Sequence, residues 1–156
     1  MVEEDNDGID APFPQANDFE KVIKLIKIEK ENYLQDNDYL VKLLGISQRQ
    51  VNYYLAACAF LGIINNERLF TEYGSLLRNK GRDEFISCIS MKITSLPVFG
   101  ETFFSRFLYD EDLSKEDIGE LVSIVYGITN QSVAERRAST VKNWINWIFE
   151  QRNCFF

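Results

Sequence analysis

The sequence predicts a mainly α-helical fold, with two helix–turn–helix-like units on either side of a helical connector and a small β-hairpin after the first unit. Three observations carry this expectation. Apolar residues return at intervals of three and four through most of the chain, the spacing that gives a helix one buried face. A glycine followed closely by a polar capping residue occurs twice, at Gly45 with Ser47 and at Gly127 with Ser132. The two capping residues lie about 85 positions apart, and each pair marks a helix end and a new start within a short turn. Between Ile63 and Phe70, two short β-prone runs flank the polar "NNER", a hairpin signal.

Composition bounds the rest. At 156 residues and 46% apolar, the chain can bury a core as one domain or two small ones. No run of 18 apolar residues is present, so no membrane contact is expected. The acidic start has no apolar segment of the kind a signal peptide needs. Three cysteines without CxxC spacing (Cys58, Cys88, Cys154) fit reduced thiols in a cytoplasmic setting, with Cys58 a small core residue. Residues 1–17 carry five acids and no base, so of the formal net charge of −7 only −2 falls on residues 18–156. The low overall pI therefore describes a leader more than any face of the body.

Taken in order, residues 1–17 read as a solvated, disordered acidic tail, and residues 18–80 as the first domain. There "NDFEKVIKLIKIEKENY" is helical, with Asn17 and Glu20 at capping-box spacing and Phe19, Val22, Ile23 and Ile26 on one face. "DNDYLVKLLG" is a short helix stopped by Gly45, and Ser47 caps a third running to about Leu61. Gly62 breaks that helix, the hairpin follows, and Thr71 caps "EYGSLLRN". Residues 81–110 read as a helical connector broken near Pro97, whose many phenylalanines suit a packed core better than an exposed aromatic surface. In residues 111–153, Ser114 caps a helix ended by Gly127, and Ser132 with Glu135 forms a capping box opening the last helix.

The order helix, helix, turn, helix, then ribbon resembles the winged-helix superfamily. The resemblance rests on "LVKLLGIS" before the third helix and "LGII…RLFTEYG" after it. It implies a β-hairpin wing and a third helix able to enter a DNA groove, although the same fold also serves as a protein-docking module. The two-unit layout, and "RRASTVKNWINWI" in particular, is similar to DNA-recognition modules of bacterial type II restriction endonucleases. That similarity implies Arg136, Arg137 and Thr140 on the specificity side and a nuclease domain elsewhere. The closing "EQRNCFF" leaves no room for a second wing.

At about 100° per residue, Val51, Tyr54, Leu55 and Cys58 share one side of the third helix. Arg49, Asn52, Tyr53 and Ala56 share the other, flanked by Gln48 and Gln50. Arg can hold guanine and Asn adenine, a small Ala56 permits close approach, and Tyr53 can reach a phosphate. On the last helix, Ala134, Ala138, Val141, Ile145 and Ile148 form a stripe suited to burial or a dimer seam. The opposite face presents Arg136, Ser139, Thr140 and Asn143, with Arg137 and Lys142 at its flanks, all able to donate to phosphate or a base edge. Arg68 in the wing adds one backbone contact. Lys21, Lys24, Lys27 and Lys30 make a secondary basic row on the first helix. Trp144 and Trp147 are placed to close a core.

Histidine is absent, which removes the Ser-His-Asp, Cys-His and HExxH chemistries together. No phosphate-cradling glycine loop or metal-dependent nuclease triplet is visible, and "YDEDLSKED" lacks the order of a calcium loop. The expectation is a non-catalytic duplex-DNA-binding protein, a target-recognition module or regulator of transcription or restriction–modification, without cofactor or metal. Double-stranded DNA is the expected partner, with a homodimer or partner protein possible in addition. The alternatives are a protein–protein interaction adaptor and a DNA-mimic inhibitor relying on the acidic tail.

Overall fold

The computed structural model describes residues 13–151. Among them the secondary structure is helical throughout: α1 (Phe19–Ile26), α2 (Asn37–Leu44), α3 (Gln48–Phe60), α4 (Glu72–Arg78), α5 (Arg82–Thr94), α6 (Phe99–Tyr109), α7 (Lys115–Tyr126) and α8 (Gln131–Glu150). A 3-10 turn, Glu31–Gln35, joins α1 to α2.

The first helical unit forms as its caps dictate. Gly45 closes α2 in the left-handed region (φ 67°), where a side chain would be strained, and donates to Val41 O at 2.8 Å. Three residues later α3 is under way. Ser47 Oγ accepts from Gln50 N–H while the Gln50 side chain accepts from Ser47 N–H, a reciprocal capping box. α1 packs chiefly on α3 and stops at Ile26, shorter than its periodicity suggests. Lys27 then turns away to donate to the carbonyls of Leu77, Arg78 and Lys80 at 2.9, 3.1 and 2.9 Å, closing the end of α4. Burial and the neighbouring Arg78 charge lower the Lys27 pKa.

The β-hairpin wing is not formed. One isolated antiparallel bridge, Ile64 to Phe70, is the whole of the pairing among the described residues. The reason is the lack of chain on either arm. Gly62 (φ 75°) breaks the run on one side, and on the other Thr71 is needed as N-cap of α4, its Oγ1 accepting from Gly74 N–H. Between them Asn65 Oδ1 accepts from the N–H groups of Glu67 and Leu69, and Arg68 is left-handed (φ 59°). The residues that would extend a ribbon are spent on a tight turn. The winged-helix expectation is overturned; the mainly helical expectation stands.

Pro97 separates α5 from α6 as its chemistry requires. Val98 sits at φ 73°, its N–H held by the Glu101 carboxylate at 2.9 Å. The connector is not a separate layer. Phe85, Ile89, Phe99 and Phe103 are buried in one contiguous core shared with both flanking units. Phe104 and Phe107 of the same run stay about half exposed.

Two N-terminal starts differ from expectation. α1 is capped by Asp18, whose carboxylate accepts from Glu20 N–H, and α8 by Asn130, which accepts from Val133 N–H. The capping-box pairs Asn17 with Glu20 and Ser132 with Glu135 are not used as such. The acidic tail also ends sooner than residue 17: Phe13 and Ala16 are fully buried. Phe13 stacks on Phe99 (5.3 Å) and meets Tyr126 edge-on (4.6 Å). Residues 1–12, with the rest of the expected tail, and residues 152–156 lie outside the described residues.

Candidate nucleic-acid interface

α3 keeps the faces its periodicity assigns, with one exception. Val51, Tyr54, Leu55 and Cys58 are buried, and the apolar surroundings push the Cys58 thiol up to about 12. Ala56, expected to face outward, is buried as well, on a helix that both α1 and α2 pack against. What remains outside is ordered. Gln48 Nε2 donates to Asn52 Oδ1 at 3.1 Å, and Arg49 Nε donates to Tyr53 Oη at 2.8 Å. These are parallel i, i+4 pairs one turn long. The Gln50 side chain is committed to the cap. Asp18, near the same unit, has its carboxyl held below the usual range. Burial opposes the shift, but the Lys21 hydrogen bond and charge and the Glu20 N–H outweigh it.

α8 behaves differently. Its 4-3 stripe is buried inside this chain, against α7, α6 and α1, which leaves no seam for a second copy there. Two residues of the supposed outer face are buried too: Arg137 is 2% exposed and Thr140 0%. The segment 13–17 lies across them. Arg137 Nη1 donates to Gln15 Oε1 at 3.0 Å. Thr140 Oγ1 accepts from Ala16 N–H at 3.1 Å and donates to Asn17 Oδ1 at 2.9 Å. Trp144 Nε1 donates to Ala16 O, and Trp147 Nε1 to the Glu20 carboxylate, both at 2.7 Å. Buried polar groups need partners, and here the strap supplies them through the Ala16 backbone and the Gln15 and Asn17 side chains. Arg137 and Thr140 hold this strap and cannot present themselves to a groove.

Of the other sequence-predicted residues on α8, Arg136 and Asn143 are exposed and Ser139 is half-buried. Asn143 donates to Ser139 O at 2.7 Å, and Ser139 Oγ to Glu135 O at 3.4 Å. Lys142 is turned to Leu113 O and Asp112. Arg68 folds inward, its guanidinium donating to Leu34 O (3.2 Å) and Asn37 Oδ1 (2.6 Å), so it ties the tight turn to α2 rather than extending from a wing. The structure thus groups Arg49, Asn52 and Tyr53 on one outer helix face and leaves the α8 residues divided between strap and surface. Sequence reading missed the strap. Its one signal was "PFP", an apolar trio inside an acidic leader.

A family model, Domain of unknown function (DUF7226), matches residues 21–153. The chain belongs to that family. The DUF7226 match takes in both helix–turn–helix units and starts inside α1, so it leaves out the strap that α8 holds. No curated protein and no solved structure matches the chain. Among the described residues no helix is long and apolar enough to cross a membrane, and no three acidic or cysteine side chains stand together as a metal cluster would.

Proposed function

We propose that this chain binds duplex DNA without catalysis, through α3 presented by the α2–α3 turn. The observation that carries the reading is the outer face of α3: Gln48, Arg49, Asn52 and Tyr53 lie on one side, already organised in two hydrogen-bonded pairs. Groove-reading helices need donors and acceptors of this kind, held in place before binding. Charge supports the same end of the molecule. Residues 18–80 hold nine Lys and Arg against eight Asp and Glu, a net of +1, while residues 111–153 hold five against seven, a net of −2. So few bases make only a few phosphate contacts, and binding should be modest, with a salt slope in proportion to those few contacts. The test is fluorescence polarisation with random duplex DNA at two salt concentrations, comparing wild type with Arg49→Ala. Salt-sensitive binding weakened by the substitution supports the reading; no binding at low salt would sink it.

A second reading, a protein-docking adaptor, has its own observation. Phe104, Phe107 and Leu108 of α6 are 45, 46 and 59% exposed at helical spacing, an apolar stripe bordering Phe103 and Phe149. Sedimentation of wild type against Phe104→Ser with Leu108→Ser addresses self-association through that stripe. A wild-type dimer that the double variant dissolves favours this reading over the first.

A further inference from the structure

We propose that the groove between α7 and α8 docks a basic amphipathic helix of another protein. This site is separate from the α3 face and uses none of its residues.

The groove follows from how the two helices meet. They are joined by the Gly127 turn and come close at Gly119, where a Cβ would lie 3.6 Å from Glu135 Cγ and 3.8 Å from the Ala134 backbone. With no side chain at 119 and only a methyl at 134 the floor is bare, and an open groove of about 460 Å³ lies over it. Ile124 stands on its rim and is 79% exposed, more than any other large apolar side chain among the described residues. An exposed isoleucine alone is ordinary on a protein surface. Beside a groove floored by glycine and alanine, it gives an incoming apolar side chain both a gap to enter and a surface to pack on. From Glu116 to Ile124 the α7 wall is about 12 Å long, room for roughly two turns of a third helix.

The walls decide the chemistry of the partner. Glu116 and Glu120 stand one turn apart on α7 and Glu135 lines the α8 side, while no Lys or Arg lines the groove among the described residues. Like charges at i, i+4 weaken their own helix. Neither Glu116 nor Glu120 has a side-chain hydrogen bond or ion pair among the described residues that would offset this. The Glu135 carboxylate accepts from the neutral Gln131 amide at 3.1 Å. Carboxylates around an apolar floor complement Lys and Arg flanking an apolar anchor, and they repel nucleic acid. A helix carries that combination on one face, so an amphipathic basic helix satisfies floor and walls together.

The test is fluorescence polarisation of a labelled synthetic leucine–lysine helix of about 15 residues against the full chain, with its leucine–glutamate counterpart as control peptide. Ile124→Ser should weaken binding on the order of tenfold, and Glu116→Gln with Glu120→Gln about fivefold. Both variants should melt with wild type, because the side chains changed are exposed. Asp110→Asn with Glu111→Gln removes the same charge from exposed positions outside the groove and should leave affinity unchanged. No binding, binding that the groove variants retain, or equal losses in the outside variant overturn the proposal. A wild-type dimer in sedimentation that Ile124→Ser dissolves would place a second copy in the groove and overturn it as well.

Discussion

Both helix–turn–helix units end their first helix on a left-handed glycine, Gly45 and Gly127, and open their second on a polar cap, Ser47 and Asn130. Both second helices carry an apolar stripe and an opposing polar face. Yet the polar face of α3 stays at the surface, whereas that of α8 is half covered by residues 13–17. The difference lies in what each helix has beside it. The helices packed on α3 leave Gln48, Arg49, Asn52 and Tyr53 at least partly exposed, while over α8 lie residues 15–17, whose Ala16 N–H and C=O need partners. Thr140 and Trp144 supply them, and Arg137 donates to the Gln15 side chain beside them. A polar helix face, then, indicates the ability to hydrogen-bond; whether the partner is a ligand or the protein's own backbone depends on which segment arrives there.

The contrast can be broken by substitution, and the largest effects should come from α8. Trp144→Ala removes a fully buried indole and its hydrogen bond to Ala16, and should cost about 3–5 kcal/mol in urea unfolding. Phe13→Ala should approach the same range, although Phe13 lies in what the sequence presents as a tail; a change of under about 0.5 kcal/mol would mean the strap is not held. Next comes Thr140→Val, which keeps the shape and strands Ala16 N–H and Asn17 without their partner. It should cost about 1–3 kcal/mol without altering DNA affinity beyond the loss of folded protein.

The matched substitution on α3 should do the reverse. Asn52→Ala should leave stability within about 0.5 kcal/mol and weaken duplex binding; a large stability loss with unchanged binding would erase the contrast between the two units. Arg49→Ala should lower the salt slope by about 1 if Arg49 holds a phosphate. Substituting Arg137, by contrast, tests stability alone, so loss of binding in an Arg136 and Arg137 double variant would say nothing about contact.

The smallest effect concerns the inner side of α3. Burial raises the Cys58 pKa from 9.0 to about 12 in the folded protein. Its contribution to stability is therefore complete below the unfolded value and is lost as pH rises toward the folded one. Between pH 9 and 12, Cys58→Ala should lose stability more slowly than wild type, as thermal melts at stepped pH would record.

The sequence by itself determined the helical class, the turns at Gly45, Pro97 and Gly127, the caps at Ser47, Thr71 and Ser114, and the inward stripes of α3 and α8. Each depends on residues within a turn or two of one another, so local spacing is enough. Only the tertiary structure decided three other things. "IINNERLF" carries a strand signal, but Gly62 and Thr71 are claimed by neighbouring elements and the ribbon never forms. Arg68, Arg137 and Thr140 read as outward donors because their type is polar. Their partners are the carbonyl of Leu34, the Asn37 side chain and residues 15–17, and in the cases of Arg137 and Thr140 these lie more than 120 positions away. Periodicity places a side chain on a helix face; it carries no information about the distant segment that comes to lie over that face.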